Sequence, residues 1–189
     1  MDVYYKKDIV YPFNGQKFSF AIANTLFSTF GLDHGTDILI RAITASNPKT
    51  ILDIGCGYGP LGIILAKLHP QAKVVMVDRD LLAIRYTTHN LARNHITNAI
   101  ALGSLGVEAV QGEKFDLIVS NIPAKIGDAA IEQEFILDPY ERLNNQGEYW
   151  IVVVSALNRL MPKIFREHDL HFEEIRKRHG HTVYRIKKI

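Results

Sequence analysis

Residues 51–62 read Ile-Leu-Asp-Ile-Gly-Cys-Gly-Tyr-Gly-Pro-Leu-Gly, an apolar run that contains one acid and leads into four glycines. The isoleucines and the leucine before the glycines favour a β-strand, and the apolar residues after them recur at helical spacing as far as His69. Glycine permits positive φ angles, and the start of a helix presents unpaired N–H groups with a partial positive charge. The stretch therefore predicts a strand, a nucleotide-binding turn and a helix.

Two classes of cofactor compete for this turn. Gly57, Gly59 and Gly62 match the dinucleotide fingerprint G-x-G-x-x-G, which is typical of NAD-dependent oxidoreductases. However, Asp53 comes before the glycines, and its negative carboxylate would repel the pyrophosphate that such a turn binds. A cationic ligand suits the carboxylate better, and S-adenosylmethionine (SAM) carries an ammonium group and a sulfonium. A glycine-rich turn that binds nothing is the third alternative.

The run from Asp53 to Gly59, D-x-G-x-G-x-G, resembles the first motif of class I SAM-dependent methyltransferases. The resemblance implies that SAM is bound by Asp53, Gly55, Cys56, Gly57 and Gly59. Cys56 is the single cysteine of the chain, so it forms no internal disulfide. Its place between glycines favours a small packing residue over a nucleophile.

Length and composition limit the possible architectures. The chain has 189 residues, of which 47% are hydrophobic, and a net charge of +2. This length predicts one domain, with an N-terminal hairpin and cofactor-covering segment at 1–35 and a Rossmann-like core at 36–189. The charge balance alone does not indicate a nucleic-acid partner. No apolar run approaches the ~20 residues that span a bilayer, and the N-terminus lacks the apolar core of a signal peptide, so we expect a cytoplasmic protein without membrane contact.

Hydrophobic patterning predicts an α/β protein. Apolar runs at 9–13 and 16–20 flank the favoured turn dipeptide Asn14-Gly15 and predict a β-hairpin. Thr36 is the expected cap of a first helix. From residue 50, strand and helix patterns alternate, which is typical of an open, mainly parallel sheet. Strands are predicted at 50–54, 73–77, 98–102, 115–119 and 148–154, and helices near 60–68, 80–94, 128–143 and 157–168.

The C-terminal residues change in character. Residues 171–177 and 182–187 alternate apolar and polar side chains, which predicts an antiparallel pair. The methyltransferase resemblance implies the same ending, with one antiparallel strand near the edge of a seven-stranded sheet that carries helices on both faces. Basic residues cluster at both ends of the chain, where they suit either RNA phosphates or the protection of a sheet edge. These are Lys6, Lys7, Arg176, Lys177, Arg178, Arg185, Lys187 and Lys188.

Polar residues follow the next two predicted strands. Asp78 lies about 20 residues beyond the glycines, where an acid accepts hydrogen bonds from ribose hydroxyls. The resemblance gives this role to Asp78 and adds its neighbour Arg79 to the SAM-binding residues, whereas an acid that only favours the next helix is the alternative. Ser104 stands where many methyltransferases place an acid that binds the adenine amino group. Its hydroxyl or a neighbouring N–H would replace that acid, and a plain loop residue is the alternative.

The second decisive stretch, residues 115–127, reads Phe-Asp-Leu-Ile-Val-Ser-Asn-Ile-Pro-Ala-Lys-Ile-Gly. At this position, methyltransferases that modify planar exocyclic amines carry Asn-Pro-Pro followed by an aromatic. The Asn amide oxygen accepts an N–H of the amine, aims its lone pair at the methyl group and tolerates its growing positive charge. The resemblance therefore assigns catalysis to Asn121 and to the turn at Pro123. A strand-ending turn without chemistry is the alternative.

Two residues depart from this pattern, Ile122 in place of the first proline and Ala124 in place of the aromatic. The ring that stacks on the target base must therefore come from elsewhere, or the substrate differs. The candidate rings are Phe27, Phe30 and Tyr58.

In their order along the chain, these motifs resemble the "methyltransferase small" domain family, which includes guanine-N2 methyltransferases of ribosomal RNA. In that family the segment before the first core helix packs over the cofactor, which would place Phe27 and Ser28 near its methionine end. The resemblance implies SAM as cofactor and RNA as partner, and the histidines show no metal-site spacing, so we expect no metal.

Three alternatives stay open. The first is methylation of a protein glutamine or a small-molecule amine, the second a non-catalytic SAM-fold binding module, and the third an oxidoreductase. The sequence carries no signal for the oligomeric state.

Overall fold

The structure is a computed structural model that describes residues 2–24 and 32–189. Its strands are β1 (Tyr5–Phe13), β2 (Gln16–Ala23), β3 (Thr50–Ile54), β4 (Lys73–Asp78), β5 (Ala99–Gly103), β6 (Phe115–Asn121), β7 (Leu143–Val154), β8 (His171–Arg178) and β9 (His181–Lys187). Its α-helices are α1 (His34–Ala42), α2 (Pro60–Leu68), α3 (Leu81–Arg93), α4 (Asp128–Glu132), α5 (Asp138–Glu141) and α6 (Leu160–Glu167). No helix within the described ranges is long and apolar enough to cross a bilayer.

Seven strands form one sheet in the order β5-β4-β3-β6-β7-β9-β8. All of them run parallel except β9, which is antiparallel to its neighbours β7 and β8. The predicted Rossmann-like sheet with an antiparallel C-terminal strand is confirmed. Strand order reverses between β3 and β6, and open α/β sheets bind ligands at such a point, outside the carboxyl ends of the strands. We call the side of the sheet at which β3 to β8 end the carboxyl edge.

Helices cover both faces of the sheet, which explains the continuous apolar runs of its central strands. In β3, Ile51 packs on the face covered by α1, α2 and α3, and Leu52 packs on the face covered by α4 and α6. Trp150 in β7 is almost fully buried. The two faces together form the core of the described residues.

The N-terminal β-hairpin is confirmed, with Asn14 and Gly15 at positive φ in its turn. The hairpin forms a separate two-stranded sheet that packs on α3 through the buried side chain of Asn90. The Asn90 amide accepts from the Ala21 N–H at 2.8 Å and donates to the Ala21 carbonyl at 3.1 Å and to the Tyr58 carbonyl at 2.9 Å. Asn90 therefore ties the hairpin to the glycine turn.

Several predicted boundaries were wrong, among them those of α1 and of the helix at 128–143. α1 is capped by Asp33, whose Oδ2 accepts from the Thr36 N–H at 3.1 Å, so Thr36 lies inside the helix it was expected to cap. The helix predicted at 128–143 ends at Glu141, because β7 begins at Leu143, five residues before the predicted 148. A π-helical turn, Gln133–Leu137, also interrupts this helix between α4 and α5.

Candidate active site

The glycine turn between β3 and α2 is built on positive φ angles, which are +68° at Gly55, +58° at Gly57 and +91° at Gly59. The Gly57 N–H donates to Oδ2 of Asp78 at 2.9 Å, and the Gly57 carbonyl accepts from the Thr87 hydroxyl at 2.7 Å. Gly59 is the N-cap of α2, and a methyl group there would lie 2.9 Å from the Thr87 side chain. A residue with a side chain at Gly59 would therefore be both strained and crowded.

Asp53 lies beneath this turn and is 1% exposed. Its Oδ2 accepts from the Gly62 N–H at 2.8 Å, and a methyl group on Gly62 would lie 2.3 Å from Sδ of Met76, so only glycine lets α2 approach the sheet this closely. An N–H at the start of α2 is thus already bound by a carboxylate of the protein itself. A dinucleotide pyrophosphate needs that positive helix end, so the geometry disfavours the oxidoreductase alternative.

The second oxygen of Asp53, Oδ1, is buried and has no hydrogen-bond partner among the described residues. Burial raises the pKa of Asp53 to about 7, and the negative charge of Asp78 adds to this, whereas the Gly62 N–H opposes it. An unsatisfied buried carboxylate oxygen is costly unless a donor or cation reaches it. The ammonium group of SAM has the charge and the donors that this oxygen lacks, so the residues present fit that cofactor.

Asp78 ends β4 and joins two loops. Its Oδ2 accepts from the Gly57 N–H and its Oδ1 from the Asp80 N–H, each at 2.9 Å. A carboxylate offers about four lone-pair sites, so Asp78 retains capacity for a diol such as a ribose. The neighbouring Arg79 is exposed in the turn before α3.

Two exposed leucines that no sequence motif singles out flank Asp78. Leu81 is 72% exposed and packs over Gly103, where a methyl group would lie 2.8 Å from its Cδ2, and Leu105 in the loop after β5 is 61% exposed. Both follow strands that end at the carboxyl edge. An apolar residue three or four positions after each predicted strand end was the available signal, since an adenine ring binds between apolar side chains.

Ser104 takes part in the hydrogen bonds of its own loop. Its hydroxyl donates to the Gly106 carbonyl at 3.1 Å and accepts from the Ala109 N–H at 3.0 Å, and its backbone N–H donates to the Asp78 carbonyl at 2.9 Å. This arrangement matches the alternative in which Ser104 is a plain loop residue. The contact of Ser104 or its neighbour with adenine stays a prediction.

The Cys56 side chain is buried, with Sγ 3.8 Å from the Thr87 hydroxyl. Burial raises the pKa of the thiol well above its ordinary value, and the charges of Asp53 and Asp78 add to the effect. The thiol is therefore a poor nucleophile at neutral pH. The buried position of the side chain supports the packing role. Any contact of Cys56 with SAM would therefore be made by its backbone atoms.

Asn121 is the last residue of β6, at the carboxyl edge. Its Nδ2 donates to Oδ2 of Asp33 at 2.5 Å and to the Thr36 hydroxyl at 3.1 Å. A carboxylate only accepts, so the amide nitrogen and not the oxygen must face Asp33. No donor among the described residues reaches Oδ1 of Asn121. The amide is thus oriented with its oxygen available as an acceptor.

The chain after Asn121 is fixed by packing. The Ile122 N–H donates to the Val152 carbonyl at 3.0 Å and its side chain is buried in the core, which explains an apolar residue before the half-exposed Pro123. Tyr58, one candidate for the missing ring, is 4% exposed and lies edge-on to Phe20, so it is a packing residue.

The other candidate rings, Phe27 and Phe30, and the proposed cofactor contact Ser28 lie outside the described residues. A ring outside the sequence motifs lies close to the glycine turn: Phe135, in the π-helical turn, would be 3.4 Å from a methyl group on Gly55. Nothing in the sequence distinguished Phe135 from a core residue, because its position depends on the π-helical turn. Across residues 2–24 and 32–189, no three His, Cys, Asp or Glu side chains are grouped to hold a metal ion.

The described sheet is mainly parallel, its strand order reverses between β3 and β6, and its last strand in the chain, β9, is antiparallel. This is the fold of class I methyltransferases. Within that class one family can be named, because the family model "Methyltransferase small domain" matches residues 17–185. The chain belongs to this family, as the sequence predicted.

Several similar proteins carry a named activity. Ribosomal RNA small subunit methyltransferase C of Actinobacillus succinogenes is 32% identical over 164 residues, which cover 85% of this chain and 48% of that protein. The T. thermophilus 16S rRNA N2 G1207 methyltransferase RsmC, solved in complex with AdoMet and guanosine, superposes with a TM-score of 0.82 at 25% identity, over 97% of this chain and 50% of RsmC. This chain thus spans about half the length of the ribosomal RNA methyltransferases it matches.

Another relative has a length similar to that of this chain. The uncharacterized protein YbxB of Bacillus subtilis is 28% identical over 177 residues, which cover 91% of this chain and 87% of YbxB.

Proposed function

We propose that this protein is a SAM-dependent N-methyltransferase that transfers a methyl group to a planar exocyclic amine, guanine N2 of ribosomal RNA, in the cytoplasm. The observation that carries the proposal is the orientation of Asn121, whose amide nitrogen is bound to Asp33 and Thr36. This leaves its Oδ1 as an acceptor at the carboxyl edge. Family membership and the RNA methyltransferases among the relatives support the same reaction.

In this proposal SAM supplies an electrophilic methyl group, and the residues of the chain bind and orient the reactants. Asp53 faces the ammonium group, Asp78 accepts from the ribose, and Leu81 and Leu105 enclose the adenine. The glycine turn lies between the two acids, with Asp78 held to it by the Gly57 N–H. Arg79, Ser104, Phe27 and Ser28 remain proposed cofactor contacts.

Asn121 acts on the amine. Its Oδ1 accepts one N–H, which holds the nitrogen lone pair in line with the methyl group. The hydrogen bond strengthens as the nitrogen becomes cationic, so it stabilises the transition state more than the bound substrate. No general base is needed before the methyl group is transferred, and Pro123 fixes the turn after the acceptor.

Methylation of a protein amide is the second candidate. Ala124 stands where amine methyltransferases carry a stacking aromatic, so a target without a base ring suits the site as well. A ribosomal protein L11 methylase from Lactobacillus delbrueckii superposes with a TM-score of 0.67 at 25% identity over 82% of this chain and 77% of that one. A side-chain amide is planar, and Asn121 would accept from it in the same way.

A radiolabelled methyl-transfer screen tests these proposals. The purified protein is incubated with methyl-labelled SAM and separate fractions of ribosomal RNA, ribosomal protein and small metabolites. Label in RNA that digests to N2-methylguanosine is the expected result. Label in protein alone would overturn the RNA proposal, and label in no fraction would favour a binding module.

A linked pH effect is expected at Asp53. Burial raises its pKa to about 7, and a bound ammonium group would lower that pKa again, so SAM binding releases a proton near neutral pH. SAM affinity therefore rises from pH 5.5 to pH 7 and then levels. Calorimetry in two buffers with different ionisation enthalpies measures the released proton.

Asp53→Asn is the matched control for this effect, because it keeps an acceptor for the Gly62 N–H but does not titrate. It should bind SAM about tenfold more weakly, the loss expected for one charge-assisted hydrogen bond, without proton release. If the wild-type protein binds SAM equally well at pH 5.5 and pH 7 and releases no proton, Asp53 does not face the ammonium group.

A further inference from the structure

We infer that the end of β8 and the β8–β9 turn bind phosphates of the RNA that carries the target amine. We call this part of the protein the β8–β9 surface, and it consists of Arg176, Lys177, Arg178, His179 and His181. The inference rests on the proposed function and adds to it the place where the RNA backbone lies. It is carried by strand direction, by contacts with the acceptor site and by the distribution of ion pairs.

Strand direction places this surface beside the acceptor. β6 is parallel to β7, and β9 is antiparallel to both β7 and β8. β8 therefore runs parallel to β6 and ends at the carboxyl edge. His181 pairs with Val154 of β7, and Val152 of the same strand pairs with Asn121. At the other end of β9, Lys187 pairs with Glu148, about 20 Å from His181 at ~3.3 Å per residue.

Only the backbone of Gly35 lies between His181 of this surface and the Asn121 side chain. A methyl group on Gly35 would lie 3.0 Å from Cδ2 of His181 and 3.3 Å from Nδ2 of Asn121, so α1 begins between the two side chains. The rings of His34 and His179 stack with centroids 6.2 Å apart. An RNA whose base reaches Asn121 would therefore pass over this surface.

The ion pairs differ between the two ends of this strand pair. Away from the acceptor, Arg185 pairs with Glu148 and Glu173, and Lys188 pairs with Glu141. At the carboxyl edge, Arg176, Lys177 and Arg178 are exposed, and no carboxylate of residues 2–24 or 32–189 lies within ion-pairing distance of them. Three uncompensated cations beside an acceptor suit a polyanion, because phosphates bound there release their counterions.

An edge strand also uses charge to avoid pairing with other sheets. That role predicts association of the protein after the charges are removed, but no change in RNA affinity. The two roles therefore give different results in one set of variants.

The test compares two doubly substituted proteins that each lose two cations. Arg176→Gln/Arg178→Gln alters the β8–β9 surface, and Lys187→Gln/Lys188→Gln alters the far end of β9 as a matched control. The probe is a fluorescein-labelled 20-nucleotide single-stranded RNA, whose affinity is measured by anisotropy between 50 and 300 mM salt. Gel filtration reports association, and calorimetry with SAM reports an intact cofactor site.

The β8–β9 variant should lower the slope of log affinity against log salt by about 1.4, which is about 25-fold in affinity at 0.1 M salt, because each phosphate contact to a single strand contributes about 0.7. The control variant should keep the wild-type slope. In methyl transfer to ribosomal RNA, the β8–β9 variant should raise KM and keep kcat.

Equal slopes in all three proteins, or equal losses in both variants, would overturn the inference while the wild-type protein still binds and methylates RNA. Association without a change in slope would assign the cations to edge protection. Wild-type protein that binds no RNA and labels only protein would instead overturn the proposed function.

Discussion

Asp78→Asn is expected to weaken SAM binding about 100-fold. The carboxylate of Asp78 already accepts from the Gly57 and Asp80 N–H groups, and its remaining lone pairs would accept from both ribose hydroxyls. Two hydrogen bonds to a charged acceptor contribute about 3 kcal/mol together, which corresponds to about two decades in affinity. Calorimetry with SAM and with its demethylated product measures the loss, and NAD should bind to neither protein.

Asp80→Ala is the control from the same turn. Asp80 caps α3 by accepting from the Leu82 N–H at 2.8 Å, so its loss should cost about 1 kcal/mol of stability with SAM affinity preserved. If Asp78→Asn bound SAM as tightly as the wild-type protein but melted earlier, Asp78 would only hold the glycine turn to α3. The ribose would then need another acceptor.

The elements of the fold that are determined by residues close together in the sequence were predictable. Residues 51–62 define a strand, a turn and a helix because β-propensity, glycine and apolar spacing act locally. The hairpin at Asn14-Gly15 was predictable for the same reason. The antiparallel ending came from alternation in two short runs, and the number of strands came from the family resemblance, whereas the order of the strands is known only from the structure.

The orientation of the acceptor was not predictable, because Asp33 and Asn121 are 88 residues apart. The sequence pattern predicts Thr36 as the cap of α1, whereas in the structure Asp33 both caps the helix and binds the Asn121 amide. A short polar segment before a helix offers several equivalent caps, and tertiary contact selects among them. The complete burial of Asp53 likewise depends on how closely Gly62 lets α2 approach the sheet.

The basic residues near the C-terminus show a similar limit. In the sequence, Arg178 and Lys187 belong to one cluster. In the structure, strand reversal at the β8–β9 turn places Arg178 at the carboxyl edge and Lys187 at the opposite edge. A charge cluster in sequence is therefore not a charge cluster in space when a hairpin divides it.

Asn121→Ala is expected to separate catalysis from cofactor binding. Removing one preorganised acceptor of this kind lowers the rate about 100-fold or more, because the bond from the amine to Oδ1 strengthens only as the nitrogen becomes cationic. SAM affinity should stay close to the wild-type value, since Asn121 contacts the amine and its nitrogen binds Asp33. Single-turnover methyl transfer, calorimetry with SAM and thermal melting on the same variant make the comparison.

Ser120→Ala is the matched control, because Ser120 precedes Asn121 in β6 and donates to the buried Ile54 carbonyl at 2.8 Å. Loss of that hydrogen bond should lower the melting temperature and preserve activity per folded molecule. Asp33→Ala gives an intermediate test: the Asn121 amide then keeps only the Thr36 hydroxyl as a partner and is less firmly oriented, so kcat should fall about tenfold with SAM affinity retained, which the loss of a helix cap alone would not produce. A well-folded Asn121→Ala protein with full activity would rule out Asn121 as the amine acceptor, and the methyl group would then have to go to a different atom.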